Sequence, residues 1–301
     1  MKTSIVSFLL SLAGATIASA QPVGSIANLS ARGNIGQGSS TLIAGFVIEG
    51  SAPKSVLVRG VGPGLTGFGV STAAGAVQIL VYDANGNVVG QNDGFQTDPN
   101  ADAVAQTAAQ VGAFPLSASG DSATVVSLQP GAYTVAAAQS ASGAPTGQAL
   151  LEVYDADGPG AASTITNLST RGMVGSDSGA LISGFVISGD VPHDMVVQGV
   201  GADLASFGVG NPASDVGVQI VDSNGNVVAS TAPASSEIGL SLDQEMASLG
   251  ALPETNPGDS ILPVTLAPGA YTMVLIPSSA NTSNSVGLVE VFDGGADPVS
   301  Q

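Results

Sequence analysis

One block of this sequence occurs twice. Asn28-Leu29-Ser30 and Arg32-Gly33 return as Asn167-Leu168-Ser169 and Arg171-Gly172, an offset of 139. Gly45-Phe46-Val47-Ile48 returns as Gly184-Phe185-Val186-Ile187, Phe68-Gly69-Val70 as Phe207-Gly208-Val209, and Asn85-Gly86-Asn87-Val88-Val89 as Asn224-Gly225-Asn226-Val227-Val228. Beyond that hairpin the offset is 138: Pro130-Gly131-Ala132-Tyr133-Thr134 matches Pro268-Gly269-Ala270-Tyr271-Thr272, and Glu152-Val153-Tyr154-Asp155 matches Glu290-Val291-Phe292-Asp293. Any fold proposed for the chain must therefore be one that the same block can form twice. The first copy spans 21–157 and the second 163–301, with the Gly-Pro-Gly-Ala-Ala run at 158–162 as linker.

Within a copy the signals are those of strands and turns. Thr41 to Ile48 is rich in β-branched and aromatic residues and ends at a turn, and Ser55 to Arg59 reads as the next strand. Val77 to Tyr82 meets Val88-Val89 across Asp83-Ala84-Asn85-Gly86-Asn87, where the Asn-Gly pair suits a type I′ hairpin. Ala123 to Leu128 and Ala132 to Ala138 flank a Pro-Gly turn, and Ala149 to Tyr154 closes the unit. Asp102 to Phe114 breaks the pattern, with Val104, Ala108, Val111 and Phe114 at helical spacing; the counterpart is Ser241 to Leu252. The expectation is an all-β protein. It comprises two tandem antiparallel β-sandwich domains, jelly-roll-like, each with one short helix.

Residues 1–20 read as a cleaved signal peptide: Lys2, a short apolar run from Ile5 to Ala13, then Ala18-Ser19-Ala20 before Gln21. The expected product is exported, extracellular or at the cell surface, with the periplasm as alternative and no transmembrane anchor. Charge removes other classes. Five Lys+Arg against 23 Asp+Glu cannot form the basic stripe that nucleic acid demands. With no Cys, disulfides, thiolate metal sites and Cys nucleophiles are excluded.

The order Arg-Gly, Gly-Phe-Val-Ile, Val56-Leu57-Val58-Arg59-Gly60-Val61-Gly62-Pro63-Gly64-Leu65, Tyr82-Asp83-Ala84-Asn85-Gly86, Leu-x-Pro-Gly-x-Tyr-Thr and Leu-x-Glu-Val-Tyr-Asp resembles a tandem β-sandwich repeat of secreted proteins from environmental bacteria. That repeat often stands beside immunoglobulin-like modules. The later half of each copy is also similar to bacterial pre-peptidase C-terminal domains, jelly-roll-like sandwiches appended to secreted enzymes. These resemblances imply a fold and an exported setting. The matching residues are mostly turn and core positions.

Catalytic patterns are weak. Gly62-Pro63-Gly64-Leu65-Thr66-Gly67 has the G-x-G-x-x-G spacing, but no amphipathic helix follows to hold a pyrophosphate. Gly120-Asp121-Ser122 and Gly258-Asp259-Ser260 have the look of esterase blocks, yet the single His, His193, lies before Ser260 and reads as an exposed turn residue. Asp83, Asn85, Asn87 and their counterparts Asp222, Asn224 and Asn226 alternate oxygen side chains as a calcium loop does, without the sixth-position Gly or twelfth-position Glu. Calcium is thus the one cofactor in view, against plain hairpin chemistry. The aromatics match between copies like core residues, which disfavours a stacking platform for glycans. Glu152 and Glu290 sit inside an apolar last strand and require partners. Arg32 and Arg171 hold the cationic position shared by both copies, so pairs Arg32–Glu152 and Arg171–Glu290 are expected. The reading is a secreted, non-enzymatic structural, adhesive or matrix protein, its partners being further copies or surface components. The alternatives are a glycan- or calcium-binding module and a carboxylate-dependent hydrolase.

Overall fold

The computed structural model describes residues 25–36, 41–140, 145–158, 160–174, 180–232, 251, 255–278 and 285–296. The leader expected over 1–20 lies outside them, as does the second helix expected over 241–252, apart from Ala251.

The described chain is all-β. The first copy supplies β1 (Ile26–Ile35), β2 (Leu42–Gly50), β3 (Lys54–Val61), β4 (Val77–Asp83), β5 (Val88–Asn92), β6 (Ser122–Leu128), β7 (Gly131–Gln139) and β8 (Gly147–Asp155). The second supplies β9 (Ser163–Val174), β10 (Leu181–Ile187), β11 (His193–Val200), β12 (Val216–Asp222), β13 (Val227–Ser230), β14 (Ser260–Leu266), β15 (Gly269–Pro277) and β16 (Ser285–Ala296). One helix, α1 (Ala101–Gln110), lies between β5 and β6. The strands follow from the sequence: in β2 the run Leu42, Ala44, Phe46, Ile48 is buried while the residues between face partly outward, the period-2 pattern of a half-buried strand.

All pairings between these strands are antiparallel. They run as β6-β3-β8-β1-β10-β15-β12-β13 and as β14-β11-β16-β9-β2-β7-β4-β5. Each strip takes half its strands from each copy. The crossing points are the first strands: β1 of copy one pairs with β10 of copy two, and β9 of copy two pairs with β2 of copy one. Ile26 faces its own equivalent, Ile165, so an approximate two-fold axis passes between β1 and β9.

The duplicated motifs explain this exchange. A Cβ on Gly184 would stand 2.6 Å from Ser30 Oγ, and one on Gly45 would collide with Ser169 Oγ. The Gly of each Gly-Phe-Val-Ile therefore receives the Ser of the other copy's Asn-Leu-Ser. Gly172 in turn leaves room for Leu181 and Leu42, one leucine from each copy. The two strips pack face to face, with Gly60 of β3 against Ile79 and Val77 of β4. A single apolar core runs through both copies, from Val56 and Ile79 to Val197 and Val218. Two separate sandwiches were expected. The strands instead interlock, because an edge offered by one copy is equally complementary to the same edge of its twin.

Candidate functional site

The hairpin acids are occupied by their own loops. Asp83 Oδ1 accepts from the backbone N–H of Asn85 (2.9 Å) and Asn87 (2.8 Å), and Oδ2 accepts from Asn87 Nδ2 (2.9 Å). Asp222 repeats the set with Asn224 and Asn226. The Asn87 and Asn226 side-chain amides lead in holding both carboxyls below their usual pKa. Gly86 has a left-handed backbone (φ 79°) but Asn85 does not, so the turn is not the I′ type expected.

The Gly62-Pro63-Gly64 and Gly120-Asp121-Ser122 motifs prove to be one feature. Residues 63–68 form a 3₁₀ turn. Asp121 Oδ1 accepts from the N–H groups of Gly62 (2.9 Å) and Gly64 (3.2 Å) that begin it. In copy two Asp259 Oδ1 accepts from Gly201 (2.6 Å) and Ala202 (3.0 Å), and Oδ2 from Asp203 (3.2 Å). The anion that such a turn would hold is thus the protein's own carboxylate. Burial raises the pKa of both acids, Asp259 to about 6. Gly64 is small because a Cβ there would meet Asp121 Oδ2 at 2.5 Å.

His193 is not exposed. It is buried in β11 with Nδ1 2.8 Å from Asp293 Oδ1. Its counterpart Lys54 is also buried, with Nζ 2.8 Å from Asp155 Oδ2 and 3.7 Å from Asp157 Oδ2. These are matched structural pairs, closing the first edge of β3 or β11 onto the end of β8 or β16.

The expected pairs of Arg32 and Arg171 do not form. Glu152 has Arg59 as its cation, with Nε 3.2 Å from Oε2. The reason is register: on β8, Glu152 lies directly opposite Arg59 of β3, whereas on β1 it lies opposite Ser30, and Arg32 is one diagonal step away. Tyr154 Oη donates to Glu152 Oε1 at 2.6 Å, and the Arg59 guanidinium carbon stands 4.3 Å over the Phe114 ring. Burial pushes the Glu152 pKa up and Arg59 pulls against it. In copy two Gln198 replaces Arg59 opposite Glu290, and Phe292 replaces Tyr154. Burial alone then lifts the Glu290 carboxyl to about 7. Arg171 is half-buried and its pKa is lowered by that burial.

The Arg59 cluster belongs to a second, smaller core between the outer face of the sheet and α1, built from Leu57, Phe95, Val104, Ala108, Ala123 and Tyr154. Beside it is an apolar cavity of about 260 Å³. Sequence reasoning did not find this site, although Arg59 was visible there as a cation present in one copy only. Among the described residues no group of three or more His, Asp or Glu is arranged to hold a metal ion.

The aromatics divide. Phe46 and Phe185 stack on Tyr133 and Tyr271 at centroid distances of 5.5 and 5.7 Å, as core residues should. Phe68 and Phe207 are matched yet 65% and 57% exposed, contrary to the expectation that matched aromatics are core.

No family model matches the chain, and no curated protein matches its sequence. Solved structures overlap it loosely. The STIV MCP is 12% identical with a TM-score of 0.22, covering 91% of this chain and 97% of that one. A DUF4785 family protein from Legionella pneumophila is 10% identical with a TM-score of 0.27, over 90% of this chain and 62% of that one. The tandem CBM51 modules of a family 98 glycoside hydrolase from Streptococcus pneumoniae are 6% identical with a TM-score of 0.24, over 82% and 80%. Overlaps this loose say nothing of what the chain does.

Proposed function

We propose that the chain is an exported, non-enzymatic building block with a structural or adhesive role, acting through contacts with further copies or with surface and matrix components. One observation carries this reading. Among the described residues, the large apolar side chains left exposed are Phe68, Val88, Val89, Phe207, Val227 and Val228, which are three matched pairs. Buried positions have diverged between copies, Lys54 to His193 and Arg59 to Gln198, so retention of exposed apolar residues is not a by-product of overall identity. The valines begin β5 and β13, the last strands of the two strips, where strand edges lack a pairing neighbour. Equivalent sticky edges on two related ends suit assembly of copies. The leader-like sequence supports export, and no helix among the described residues is long and apolar enough to cross a membrane.

Light scattering on the mature chain tests this. Its mass should rise with concentration, and the quadruple variant V88S/V89S/V227S/V228S should stay monomeric. A strict monomer at high concentration, or polysaccharide or ester turnover abolished by one Asp or Glu substitution, would contradict the reading.

A further inference from the structure

The cavity beneath α1 combines an apolar wall with one buried guanidinium whose outer nitrogens are unsatisfied. Phe95, Val104, Ala108, Leu116 and Ala123 line it together with Arg59. Arg59 is fully buried, and its Nη1 and Nη2 have no hydrogen-bond partner among the described residues. Buried guanidinium donors are ordinarily satisfied, so an unmet pair on the wall of an apolar cavity suits a ligand that brings its own acceptor. The alanines of α1 leave the space open, where larger side chains at helical positions 105, 108 and 109 would fill it.

We infer that this cavity binds a small apolar molecule bearing one neutral hydrogen-bond acceptor, such as a ketone or ester carbonyl, which Arg59 receives through its Nη edge. Size follows from volume: about 150 Å³ accommodates benzene, so about 260 Å³ takes roughly ten heavy atoms. Neutrality follows from charge. Glu152, 3.2 Å from Nε, already balances the guanidinium, and a second buried anion would face it. The whole chain, at −18, also repels anions. Copy two has Gln198 in place of Arg59 and so does not carry this guanidinium donor. This inference is independent of the assembly proposed above.

The probes are 2-nonanone, octanoate and nonane, titrated into the mature chain with ligand-observed NMR. The ketone should bind saturably and more tightly than either. Ala108→Leu, which fills the cavity without touching Arg59, should abolish binding, as should Ala105→Leu at its exposed rim if the first variant folds poorly. Arg59→Met should weaken the ketone by about tenfold or more, the worth of a charged hydrogen bond, and leave nonane nearly unchanged. Absence of saturable ketone binding, tighter binding of octanoate than of ketone, or binding unaltered in both alanine variants would each overturn the inference.

Discussion

Glu152 and Glu290 occupy one position in two copies and face different partners. Glu152 has a guanidinium and a phenol, so Glu152→Gln strands the buried Arg59 charge and should cost about 3–5 kcal/mol. Glu290 lies opposite Gln198 and its pKa is raised by burial to about 7. A raised carboxyl pKa means that the native state keeps a proton the unfolded chain has released. Stability therefore falls as pH rises from about 4.5 to 7, and Asp259, raised to about 6, adds to the fall over the lower part of that window. Glu290→Gln should accordingly stabilise the protein at pH 8 by about 2–4 kcal/mol and flatten that pH dependence. Urea unfolding of the two glutamine variants across pH 4–8 checks both signs. Destabilisation by Glu290→Gln at pH 8 would show that its charge is paired in the native state.

At the scale of elements, most of the fold was legible. Runs of β-branched and apolar residues bounded by turn signals located β2, β4 and β7, and the 3.6-residue spacing of Val104 and Ala108 located α1, which ends at Gln110 short of Phe114. The neighbour of each strand was not legible. Periodicity says which side chains face inward, but Gly45 offers the same notch to Ser30 and to Ser169. The same gap misplaced the Glu152 partner: the need for a cation shows in the sequence, while Arg59 against Arg32 is a matter of register. Gly64 and Asp121 likewise meet only in space, which is why one capped turn looked like two separate motifs. The exchange predicts a rescue. Gly184→Ala places a Cβ against Ser30 Oγ and should destabilise by about 1–3 kcal/mol. Ser30→Ala removes the opposing oxygen and should recover most of that loss, whereas Ser169→Ala should not. Recovery through Ser169 instead would mean that each copy pairs within itself.

For the molecule as a whole, strand exchange converts a duplicated sequence into one body. Neither copy holds a complete strip, since β10 borders β1 and β2 borders β9. One core then spans both copies; of the acids matched between them, Asp83/Asp222 and Asp121/Asp259 brace turns, Asp155/Asp293 meet Lys54/His193, and Glu152/Glu290 stand buried in the last strands. What distinguishes the ends is apolar exposure at β5 and β13, the feature on which the proposed structural or adhesive role rests. Cutting the linker separates strand exchange from independent folding of the two copies. A specific protease site placed after the exposed Gly158, cut to completion in the folded mature chain, leaves the copies joined only by what the strands share. The exchanged fold predicts that the two fragments co-elute on size exclusion at dilute concentration and separate only with unfolding in denaturant. Fragments that part under native conditions, each retaining its β-sheet signal, would contradict it.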